Sequence, residues 1–203
     1  MLMTSGNPFN RQRGVGLIEV LVAILMVSFA VLAMAGLQTV AKKNTRESLH
    51  RSTAALLARS LIERMRANSS EQALDAYLDA SSNGVGGGLM GATPLKDCKL
   101  QDCSPTELAY YDLWQWEQVA GGSSELIIDG AQTDVVGGLL QPYACLTGPA
   151  GGGDGIYTLT MVWYGSVELP GDTTVACALG TGGYGANDEY RRTLTLSAYV
   201  AAS

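Results

Sequence analysis

At 203 residues, 47% of them hydrophobic and only 16% charged, the chain is too apolar and too charge-poor for an ordinary soluble protein, and its length suits one domain plus an anchor. The formal net charge of −6 excludes the clustered cationic surface that nucleic acids reward through counterion release. After Gly14 the basic residues lie mostly between Lys42 and Arg66, and the other four, Lys96, Lys99, Arg191 and Arg192, read as solvated surface or subunit-pairing groups.

Residues 1–14 are polar and basic, with Arg11 and Arg13 as their only charges. From Val20 to Leu37 run eighteen residues interrupted only by Ser28. As a helix they cover roughly 27 Å, close to the hydrocarbon thickness of about 30 Å. The two arginines ahead of the run place residues 1–14 in the cytoplasm and the remainder beyond the inner membrane. Three readings compete for this segment. It is a secretory signal cut after Ala33-Met34-Ala35, a simple anchor, or an anchor in which Glu19 has work to do. A carboxylate carried ionised to mid-membrane costs about 2.5–3.5 kcal/mol, so acids at such positions usually serve a function.

Beyond Ala41 the character becomes amphipathic. Leu49, Leu56, Leu57, Leu61, Ile62 and Met65 recur at helical spacing, with Arg46, Glu47, Arg51, Arg59, Glu63 and Arg66 between them. No proline falls between Val15 and Asn68, so one helix of roughly 50 residues and about 80 Å is expected. Gly36 is its weak point or a place of close helix contact, and His50 reads as a surface residue.

Ser69 to Gln72 has the form of a capping box for a short helix through Asp79. Ser81 to Gly91 is a Gly- and Ser-rich connector without the Lys and Ser/Thr of a phosphate-binding loop. Ser104-Pro105-Thr106-Glu107 opens another helix, ending near Gly121, with Ala109, Leu113, Trp116 and Ala120 as its apolar stripe and Trp114 off it. From Ser124 the period becomes two, and strands are expected at 125–128, 156–164 and 193–200. The fold class is therefore α+β: a long amino-terminal helix followed by a small antiparallel sheet.

Cys98, Cys103, Cys145 and Cys177 all follow the apolar run, which favours disulfides in an oxidising compartment. Four cysteines allow three pairings. Cys145 and Cys177 bracket an expected strand and Cys98 and Cys103 lie close together, so 98–103 with 145–177 is favoured over the other two. One close Cys pair and a single histidine make no zinc constellation. No nucleophile motif and no paired carboxylates stand out, so neither an enzyme nor a cofactor is expected.

The run Arg13-Gly14-Val15-Gly16-Leu17-Ile18-Glu19-Val20-Leu21-Val22 resembles the class III signal of type IV pilins and pseudopilins. Val15 stands where that family usually has Phe, and Gly16 where it has Thr or Ser. The resemblance implies cleavage by a prepilin peptidase between Gly14 and Val15, N-methylation of Val15, and use of Glu19 to set assembly register against the Val15 amine of a neighbouring subunit. Residues 17–38, the stretch from Arg51 to Asn68, Asp112-Leu113 with Trp116, Ala144-Cys145 and the Tyr157–Trp163 run are similar to PilV-type minor pilins.

That likeness implies a leader at 1–14, a transmembrane and filament-core helix at 15–41, its amphipathic continuation at 42–68, and a periplasmic, later extracellular head at 69–203. The expected partners are minor and major pilins, the peptidase and the inner-membrane assembly platform. The expected role is priming of a pilus at or near its tip, in support of twitching and adhesion. A type II secretion pseudopilin is the alternative within the same resemblance.

Overall fold

The computed structural model describes residues 16–123, 126–129, 132–135 and 137–203. The chain divides into two compact units, 1–42 and 43–203. Helix α1, Leu17–Ala67, begins in the first and ends in the second.

In the first unit every described residue is solvent-exposed, including Leu21, Leu25, Phe29, Leu32 and Leu37. A stretch without proline, rich in Leu, Ala and Met, holds helix through its local hydrogen bonds. Its two hydroxyl residues are satisfied internally. Ser28 Oγ donates to Ile24 O at 2.8 Å and Thr39 Oγ1 to Ala35 O at 3.1 Å, the bonding that lets such residues sit in an apolar medium. The helix runs unbroken through Gly36, where a Cβ would meet nothing within 4 Å.

In the second unit α1 buries Ala54, Leu57, Ala58, Leu61, Ile62 and Met65, spaced by three and four. Two expected members of this stripe are not in it: Leu49 and Leu56 are 59% and 64% exposed. The buried arc is centred instead on Ala54 and Ala58, whose small side chains let the helix approach its neighbours. His50 is not a plain surface residue either. It is half-buried, with Nδ1 enclosed and without a hydrogen-bond partner.

Helix α2, Glu71–Ala80, is capped by Ser70, whose side chain accepts from Ala73 N at 3.3 Å. The cap is thus one residue later than the expected Ser69, whose hydroxyl lies 3.0 Å from that of Ser203. Helix α3, Pro105–Ala120, carries the complete capping box: Ser104 accepts from Glu107 N, and Glu107 accepts from Ser104 N at 2.7 Å. Ala109, Leu113, Trp116 and Ala120 are all buried, and Trp116 Nε1 donates to Leu57 O at 2.9 Å, tying α3 to α1. Trp114 is half-buried, with its ring 5.8 Å from that of Tyr111.

Strands β1 (Leu126–Asp129) and β2 (Gln132–Val135) form a separate hairpin. Strands β3 (Tyr143–Thr147), β4 (Gly155–Tyr164) and β5 (Arg191–Val200) make an antiparallel sheet in the order β3-β4-β5. Neither β2 nor β3 shows in the sequence as a strand. Cys145 lies inside β3, opposite Thr160, rather than before a strand; five residues between Pro142 and Gly148 are too few to display a period. Tyr157, Leu159, Met161 and Trp163 of β4 join the main core with α1, α2 and α3, while Val162 packs in a smaller cluster with Cys177, Ala178 and Tyr184. Disulfides join Cys98 to Cys103 and Cys145 to Cys177, closing separations of 5 and 32 residues. A long amino-terminal helix with a small three-stranded antiparallel sheet is the α+β arrangement expected from the sequence.

Candidate functional site

Two sets of residues carry the chemistry of this chain. The first is the start of α1. Glu19 lies in its opening turn, with its backbone N–H donating to Gly16 O at 2.9 Å and its side chain exposed. A negative charge there is favoured by the helix dipole. It heads an apolar surface long enough to cross a membrane, with no buried residue over at least 18 residues. An exposed apolar surface of this extent needs a lipid or protein environment, and a helix satisfies its own backbone there. Gly14 and Val15, the expected cleavage and methylation residues, lie outside the described residues.

The second set holds the head together, and most of it was not visible in the sequence. Arg191 and Arg192, expected as solvated surface or subunit-pairing groups, are buried within this chain at 4% and 9% exposure. Arg191 donates to Cys177 O from Nε (3.1 Å) and Nη2 (2.6 Å), to Asp172 O from Nη1 (2.6 Å), and from Nη2 to Val175 O. The segment 172–177 thereby turns its carbonyls onto one planar cation, whose fork of donors suits several acceptors at once.

Arg192 donates from Nε to Glu47 Oε1 at 3.0 Å, and Glu47 Oε2 also accepts from Ser166 N at 3.2 Å. Arg64 donates to Asp112 Oδ1 at 2.7 Å, while the Tyr77 hydroxyl donates to Asp112 Oδ2 at 2.5 Å. Burial, then the Asp112 hydrogen bond and charge, push the Tyr77 phenol above its usual range. Glu117 is 3% exposed and accepts from the backbone N–H groups of Gly86 (2.8 Å), Gly88 (3.2 Å) and Met90. The glycine-rich connector is therefore wrapped around a carboxylate.

These groups serve packing. No group of three or more His, Cys, Asp or Glu able to hold a metal ion occurs among the described residues. An apolar helix long enough to cross a membrane and headed by one acid is followed in the chain by a disulfide-braced α+β head.

Residues 9–35 match the prokaryotic N-terminal methylation motif, and residues 36–114 match the family of Type IV pilin Tt1218. The two matches adjoin, and the chain is accordingly a type IV pilin family protein, a structural non-enzyme. No curated protein and no solved structure matches the chain.

Proposed function

We propose that this chain is a minor pilin of the PilV type, which primes assembly of a type IV pilus and sits at or near its tip, supporting twitching motility and adhesion. Prepilin peptidase removes residues 1–14 at the cytoplasmic face, and the new Val15 amine is methylated. Residues 15–41 hold the subunit in the inner membrane, with 42–68 continuing the helix and 69–203 as a periplasmic head. The assembly platform then moves it into a filament on the cell surface, alongside minor and major pilins.

The observation that carries this reading is Glu19 at the head of an apolar helical stretch with no buried residue. The apolar surface passes from lipid to neighbouring helices without meeting water. Glu19 of the entering subunit pairs with the Val15 amine of one already in place. In a low dielectric an unpaired carboxylate is costly and one opposite charge offsets much of that cost, so the pairing supplies register more than stability.

The test is Glu19→Ala. Membrane insertion and cleavage should persist while the subunit disappears from sheared pili, read by immunoblot with loss of twitching in a strain carrying the variant. Undiminished incorporation of the variant would contradict the proposed role of Glu19.

A further inference from the structure

The first turns of α1 beyond the apolar run carry Lys42, Lys43 and Arg46 on one continuous stretch of helix. All three are exposed, and among the described residues none has a carboxylate within ion-pair distance. Farther along the same helix Arg64 pairs with Asp112 and Arg66 with Glu63. Arg51 and Arg59 have no ion pair among the described residues either, but they stand singly, whereas Lys42, Lys43 and Arg46 gather within one turn or so where the chain leaves its apolar segment.

Topology does not ask for them. Cations retained on the cytoplasmic side orient a helix, and Arg11 and Arg13 already supply those, whereas Lys42, Lys43 and Arg46 fall on the opposite side. Residues 69–203 meanwhile hold sixteen Asp and Glu against four Lys and Arg. An anionic bilayer surface repels such a head, over a range set by a Debye length of about 8 Å at physiological salt. Cations immediately after the apolar run stand at headgroup depth, and their long stems let the charges reach phosphate oxygens.

We infer that Lys42, Lys43 and Arg46 form a collar that binds the phosphate of anionic phospholipid headgroups while the subunit resides in the membrane. This inference rests on the membrane reading of the apolar helix given above. Its consequence is a subunit whose hold on the bilayer has an electrostatic part, lost when assembly draws the helix out of the lipid.

The test uses the full chain, purified in a neutral detergent and mixed with equal amounts of phosphatidylglycerol and phosphatidylcholine. Native mass spectrometry then counts the bound lipids. A cation at an anionic surface is worth about fivefold in association. The wild type should therefore retain phosphatidylglycerol over phosphatidylcholine by roughly tenfold or more. K42Q/K43Q/R46Q should lose that preference, and R59Q should keep it.

Equal retention of the two lipids by the wild type would overturn the inference, as would an unchanged preference in the triple variant. Inorganic phosphate displacing the lipid at equal concentration would also overturn it, assigning the cations to a free-anion site. So would a triple variant that keeps its lipid preference but loses cross-linking to a neighbouring pilin, since the collar would then be a protein contact. Failure of the membrane reading is distinguishable, because wild type and variant alike would then wash from vesicles at alkaline pH.

Discussion

Replacing Arg191 by Met removes a buried cation while keeping much of its volume, and the structure indicates what that should cost. Four hydrogen bonds run from the guanidinium to the carbonyls of Asp172, Val175 and Cys177. Hydrogen bonds from a charged donor contribute about 1.5–3 kcal/mol each when partners are removed singly. Asp172 lies on an exposed segment and can turn to water, whereas Cys177 is 8% exposed and tied by its disulfide. Counting mainly the enclosed carbonyls gives a loss of roughly 3–4 kcal/mol, a large share of the about 5–15 kcal/mol typical of a folded domain. Arg191→Lys keeps the charge but not the fork and should lose roughly half as much.

The assay is urea unfolding of the full chain in detergent micelles, followed by tryptophan fluorescence with both disulfides intact. Reductant should also open Cys145–Cys177 sooner in the Met variant, read by thiol labelling, because 172–177 has lost its organising cation. A Met variant within about 1 kcal/mol of wild type, below the worth of even one such bond, would refute the reasoning.

Two further outcomes are expected from the head. Glu117→Gln keeps one acceptor oxygen but loses the charge that gathers Gly86, Gly88 and Met90. It should cost about 2 kcal/mol and lower amide exchange protection at those three residues; unaltered protection there would show that the connector holds itself. The Glu107 carboxyl is held down at about 2, first by the Ser104 backbone N–H and then by Lys96. Because its folded value lies below the ordinary 4.5, its contribution is present above pH 4.5 and is lost as pH falls from 4.5 toward 2. In a pH series of thermal melts, the gap between wild type and Glu107→Gln should close across that window.

What could be read from the sequence was what is decided locally. The start of α3 is written in Ser104, Pro105 and Glu107, which contact one another within a single turn, and the structure contains that box intact. The apolar run, free of proline, specified its helix by composition. Glu19 stood out because an acid in such a run is a local anomaly. Residues whose roles depend on distant partners were misread or missed. Arg191 and Arg192 look like a surface pair until the carbonyls of 172–177 and the carboxylate of Glu47 are brought to them. Glu117 looks like the polar side of α3, since its partners lie about thirty residues earlier in a loop with no pattern of its own. Leu49 and Leu56 fit a helical period, but the neighbouring elements chose the alanine side of α1 to pack against.

The fate of the apolar helix decides the account, and the intact mass of the processed protein reads it directly. If the helix is an assembly part, the mature chain begins at Val15, heavier by one methyl group and with Glu19 retained. A mature chain beginning at Gly36, stripped of the apolar run, would contradict it.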